Sequence, residues 1–162
     1  VTIAIKKNTI TDRLKKIDSF FTDMDATLED IVREAIYPAI MENFATSGKR
    51  SSRGWLPLSS RYKKRKDRIY PGYPILYLTG RLKGSYRLGD SENILYHPGI
   101  NELIYGTSVP YAIIHQEGRG SPQRVNLFVD SQMETQASRI FTRNLRSELT
   151  DTKAQRVNLR SI

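Results

Sequence analysis

Six basic side chains within eight positions, Arg61, Lys63, Lys64, Arg65, Lys66 and Arg68, form the densest chemical signal in the chain. Such a run can hold nucleic-acid phosphates, because each cation displaces a condensed counterion. Tyr62, Tyr70 and Tyr73 are interleaved with it and offer rings on which bases could stack. The same charges would serve equally to dock on an acidic face of another protein, or would stand in solvent. Runs of one sign attract many polyanions without specificity. The charge is concentrated here: nine basic residues and one acidic residue between Lys49 and Arg68 carry +8 of the net +9. The remainder is a nearly neutral domain.

Other chemistry is sparse. The two histidines, His97 and His115, have no second His or Cys at metal-ligand spacing, and the chain has no cysteine. No disulfide framework is therefore expected. Asp23, Asp25, Glu29 and Asp30 cluster, but they surround a helix start, where the helix dipole already favours acidic residues. His115, within Pro110-Tyr111-Ala112-Ile113-Ile114-His115-Gln116, reads as a partly buried, hydrogen-bonded helix residue with no visible acid/base partner. No glycine-rich phosphate loop and no nucleophile elbow is present. The residues predict no catalytic site, no metal site and no cofactor, and so no enzyme. Trp55, in Gly54-Trp55-Leu56-Pro57-Leu58, reads as an anchor. With Leu56 and Leu58 it would pin the basic segment to the domain or to a neighbouring subunit.

The elements that must position these residues follow from periodicity. Thr2 to Lys7 alternates as a first strand, and Thr11 or Asp12 caps a short helix carrying Leu14, Ile17, Phe20 and Phe21. From about Asp25 a longer amphipathic helix runs to Phe44, with Pro38 expected to kink or split it near Glu34. Periodicity lapses over residues 47–73, apart from a short basic helix around Ser59 to Arg68. A loop of that length usually has a function or is ordered by a partner. Thr79 can cap a short helix that turns Leu82 inward. Asn93–His97 and Glu102–Gly106 read as a hairpin about Pro98-Gly99-Ile100-Asn101. A short helix over Tyr111–Gln116 and a loop over Gly118–Pro122 follow. A second amphipathic helix runs from Asp130 to Leu149, capped by Asp130 or Ser131, and residues 150–162 read as a polar tail.

The fold class expected is α+β: a small antiparallel sheet packed against two amphipathic helices, with a long basic loop. At 162 residues and 38% hydrophobic content, the chain suits one domain, residues 1–149, with its tail. No run approaches the roughly 18 apolar residues of a membrane span. Val1-Thr2-Ile3-Ala4-Ile5 lacks a signal-peptide pattern, so an intracellular product is expected.

Three segments resemble a known family: Gly54-Trp55-x-Pro57-Leu58 before a basic stretch, Ile75-Leu76-x-Leu78-Thr79-Gly80-Arg81-Leu82-x-x-Ser85, and Val109-Pro110-Tyr111-Ala112-x-Ile114-His115-Gln116-x-Gly118. Their order is similar to that in the virion-morphogenesis, or tail-completion, proteins of tailed phages, within the broader class of neck and tail-terminator proteins. The resemblance covers about residues 1–149. One segment departs from it. Where the family has an Ala-Arg-Pro-Phe-Leu-Gly-like stretch, this chain has Gln123-Arg124-Val125-Asn126-Leu127-Phe128-Val129, keeping only Arg124 and a displaced apolar pair.

The resemblance implies a non-enzymatic virion protein, an antiparallel sheet with helices on one side, assembled into a ring at the neck or the head-proximal end of the tail. The ring would be sixfold, or twelvefold if nearer the portal. It would form in the host cytoplasm and contact neck, connector, tail-tube or sheath proteins, with DNA in its lumen. The alternative is a free-standing, non-specific DNA-binding protein, although no helix-turn-helix pattern is present.

Overall fold

The structure, a computed structural model, describes residues 7–158, with side-chain surroundings described for residues 11–150. It is α+β: seven α-helices and one two-stranded antiparallel sheet among the described residues. Lys7 opens α1 (Lys7–Thr22), and residues 2–6 of the expected first strand lie outside the described residues.

A first packing centre joins α1, α2 (Asp25–Ile31) and α7 (Ser131–Asn158). The apolar stripes of α1 and α7 meet where Phe20 and Phe141 pack edge to face at 5.4 Å, and Ile140 and Met133 are also buried along α7. Arg143 of α7 pairs with Glu34 at 2.7 Å. Asp130 caps α7 by accepting from the Met133 amide at 2.7 Å. The helix runs on past Leu149 to Asn158, so most of the segment expected as a tail is helical; residues 159–162 lie outside the described residues.

Pro38 shapes the long helix as its chemistry requires. It has no N–H for the Glu34 carbonyl, and its ring would crowd that oxygen. The helix widens into a π-helical turn over Val32–Ile36, centred on Glu34, where the Tyr37 amide donates to the Val32 carbonyl. It resumes as α3 (Tyr37–Ala45).

α3 forms one wall of a second packing centre, made of Ile40, Phe44, Trp55, Leu82, Tyr86, Val109 and Ala112. Burying side chains of this size stabilises the fold by about 1.5–3 kcal/mol each. Leu82 sits on α5 (Arg81–Gly84), and Ala112 opens α6 (Ala112–Glu117). The residue before α5 is Gly80, at a left-handed φ of +84°, and not Thr79 as expected. Thr79 instead accepts from the Arg81 amide at 3.3 Å just ahead of the helix, and Leu82 is buried. The hairpin pairs β1 (Asn93–Tyr96) with β2 (Ile104–Thr107) in the register Asn93 to Thr107, so its second strand begins two residues later than periodicity suggests. Tyr105 packs that strand on the core. At its tip, Asn101 donates to the Phe21 carbonyl at 2.6 Å and accepts from the Met24 amide at 3.0 Å, tying the hairpin to the α1–α2 junction. His97 there faces Asp25 at 3.0 Å and Glu29 at 3.4 Å, two members of the acidic cluster.

Residues 47–73 are far more ordered than their composition suggests. Asn43, fully buried, accepts from the Ser51 amide and donates to the Val125 carbonyl. The Trp55 indole N–H donates to the same carbonyl at 3.1 Å, and its ring packs edge to face on Phe44 at 5.5 Å. Gly48 lets the indole lie against the backbone. At its φ of +85°, a Cβ there would stand 2.2 Å from the ring. The rest of the segment carries a ten-residue helix, α4 (Ser60–Ile69).

Candidate functional site

α4 is capped by Ser59, whose Oγ accepts from the Tyr62 amide at 3.4 Å. Helical spacing separates its cations into two groups. Arg61, Lys64, Arg65 and Arg68 recur at three- and four-residue intervals on the solvent side, all exposed, and no carboxylate of the described residues pairs with them. Lys63 is exposed beside Asp67, at 2.7 Å. Lys66 corrects the sequence expectation. It points inward, 5% exposed, and donates to the carbonyls of Tyr73 and Pro74 at 3.1 and 2.5 Å. An ammonium so placed is taken up by two backbone carbonyls and is no part of the outer cationic face of α4. Its burial also pushes its pKa below the usual lysine range. Two of the three interleaved tyrosines are engaged as well: Tyr70 and Tyr73 stack on each other at 5.4 Å, and Tyr73 meets Tyr77 edge to face at 5.2 Å, while Tyr62 stays exposed.

Behind the inner side of α4 lies a cavity of about 810 Å³. The three segments that carry the resemblance meet around it: Pro57 and Leu58 from the first, Leu76 to Leu82 from the second, Tyr111 and His115 from the third. Tyr62 and Lys66 close one side, Ser121 and Arg124 another. Trp55 sits beside this assembly in the core, while Leu56 is 61% exposed and Leu58 half-buried at the cavity. Most of the wall is apolar, as in cavities that hold ligands or inserted side chains.

Its polar content is unusual. His115 Nδ1, Ser121 Oγ and Arg124 Nε are buried with no hydrogen-bond partner, and all three residues line this cavity. They are the complete set of such atoms among the described residues. Arg124 is 6% exposed; its terminal nitrogens donate to the carbonyls of Leu56 at 3.3 Å and Pro122 at 3.5 Å. No acidic side chain lines the cavity. Burial lowers the Arg124 pKa, and burial together with the Arg124 charge lowers that of His115. His115 is thus half-buried, as its sequence context suggests, but its Nδ1 is unpartnered. Arg81 at the rim differs, because Glu92 binds its guanidinium and holds its pKa up.

The segment that departs from the family pattern organises this region. Val125 supplies the carbonyl shared by Asn43 and Trp55. Asn126 is buried, accepting from the Tyr86 hydroxyl at 2.5 Å and donating to the Ala112 carbonyl at 3.2 Å. Ser121 carries no sequence signal that marks it as a site residue, and Arg124 is marked only by its match to the family's Arg, because their burial depends on contacts distant in the chain. Among the described residues, no helix is long and apolar enough to cross a membrane. Compared with protein-family models, curated proteins and solved structures, the chain has no match.

Proposed function

We propose that this chain is a structural protein of tailed-phage assembly, a ring-forming subunit that completes the tail or joins it to the head. The observation that supports the reading best is the convergence of residues 54–58, 75–85 and 109–118 on one core and one cavity wall. Segments spread over some sixty residues act as a single structural unit, as a family motif should. The unpaired cations of α4 add a surface suited to a polyanion or to an acidic neighbour, with no base-reading element behind it. Leu56, Leu78, Ile113 and Ile114 are exposed apolar residues that subunit contacts would cover.

The basic face is the part to test. Reversing Arg61, Lys64, Arg65 and Arg68 to glutamate leaves the subunit folded, since none of them is buried, but prevents heads and tails from joining. Electron micrographs of the lysate should then show separate heads and tails. Normal particles from the fourfold variant would remove α4 from the joining surface. The rival reading is a free-standing DNA-binding protein, for which the same α4 face would be the contact. It requires the isolated subunit to bind duplex DNA with a salt slope near four phosphates, about −3.6 in log–log form.

A further inference from the structure

Arg124 is a guanidinium withdrawn from water with no carboxylate of the described residues within ion-pair distance. Burying a cation without a counter-ion costs several kcal/mol unless the missing charge is supplied. The cavity beside it supplies none. It has no acidic lining, and just behind its surface Arg124 Nε, His115 Nδ1 and Ser121 Oγ, all on lining residues, are buried without a hydrogen-bond partner. At its mouth, Tyr62 and Leu78 are exposed apolar side chains, with Leu56 just outside. A small acid held deep inside would leave those side chains wet, whereas a peptide chain crossing the mouth would cover them.

We propose that this cavity binds a segment of a partner protein in which an Asp or Glu side chain is flanked by apolar residues. Arg124 Nε and Ser121 Oγ are closed to solvent in the unliganded chain, so the carboxylate accepts from them once the Arg124 side chain shifts toward the cavity, and the flanking residues rest on Tyr62, Leu78 and Leu56. His115 Nδ1 completes the set of donors when its tautomer or protonation places a hydrogen there. Such charge-assisted bonds in a desolvated setting are the strong ones. The inference concerns the cavity of one subunit and does not depend on ring closure, so a monomer that binds the segment would leave it standing.

The test uses the full chain and a library of capped pentapeptides, apolar at positions 2 and 4, with position 3 divided equally among Asp, Glu, Asn and Gln. The immobilised protein should retain acidic members at least roughly tenfold over their amide counterparts. Arg124→Gln should abolish that preference. Because Arg124 also donates to two carbonyls, its variant could lose the fold, so Tyr62→Glu, at an exposed mouth position, provides a second control and should reduce acidic capture by a similar factor. In NMR titrations, the selected acidic peptide should raise the pH at which His115 protonates. Equal retention of acids and amides, no retention at millimolar peptide, or displacement by free hexanoate at the peptide's own concentration would each overturn the proposal.

Discussion

The outer face of α4 and the cavity behind it hold cations under opposite conditions. Arg61, Lys64, Arg65 and Arg68 stand in water, where a charge is well solvated and a surface partner contributes about 1 kcal/mol or less. Lys66 and Arg124 are withdrawn from water and satisfied mainly by backbone carbonyls, with Arg124 Nε left over. One basic run thus contains both an exposed, unpaired cationic face and a buried structural lysine. The difference shows that position on the helix, and not residue type, decides whether a lysine is free to bind. Lys66 falls four residues after Tyr62 on the inner side; Lys64 and Arg65 fall on the outer side.

The strongest way to break the inner half of that contrast is to disturb the packing that holds it. Gly48→Ala would force a Cβ into the Trp55 ring at a left-handed φ. It should destabilise the fold by about 3 kcal/mol, the sum of an overpacking and a backbone penalty. A melting temperature within a degree or two of the parent would show that the Trp55 staple is not needed. A direct comparison comes next. Lys66→Met removes the ammonium but keeps most of the volume, leaving two carbonyls without their donor, and should cost about 2 kcal/mol. Lys64→Met should change stability by less than about 0.5 kcal/mol. Equal urea midpoints for the two variants would erase the distinction between the faces.

The smallest expected effect concerns pH. His115 has a folded pKa below its unfolded value of 6.5, so folding disfavours its protonation. Above that value the imidazole is neutral in both states and contributes nothing. As pH falls through 6.5, the unfolded chain takes up the proton first, and stability declines until the folded pKa is passed. Thermal melts at pH 7.5 and 5.0 should show a smaller loss for His115→Gln than for the parent. The difference between the two proteins isolates His115 from His97. An unchanged difference would mean that the cavity does not suppress the charge.

Local chemistry explains which features could be read from the residues alone. Pro38 acts on the carbonyl four residues before it, so the break at Glu34 follows from one position. Asp130 caps α7 through a bond three residues away, whereas the start of α5 falls on Gly80 and Thr79 only makes a turn contact to the Arg81 amide. The inner cavity could not be read in that way. Arg124 is buried by the carbonyl of Leu56, 68 positions earlier, and residues 46–55 are ordered through Asn43 and Val125, 82 positions apart. Composition marks residues 47–73 as a polar loop because it counts Lys66 as one more surface charge. Only the helical phase of α4, together with the carbonyls of Tyr73 and Pro74, reveals the exception.

Ring closure, on which the proposed function rests, is tested most simply by the mass of the purified chain in solution. Light scattering after size exclusion, at low and moderate salt, should give one discrete species near six or twelve chains. A monomer at both salt concentrations that binds duplex DNA tightly, with a steep salt dependence, would contradict the ring and favour the free-standing DNA-binding protein.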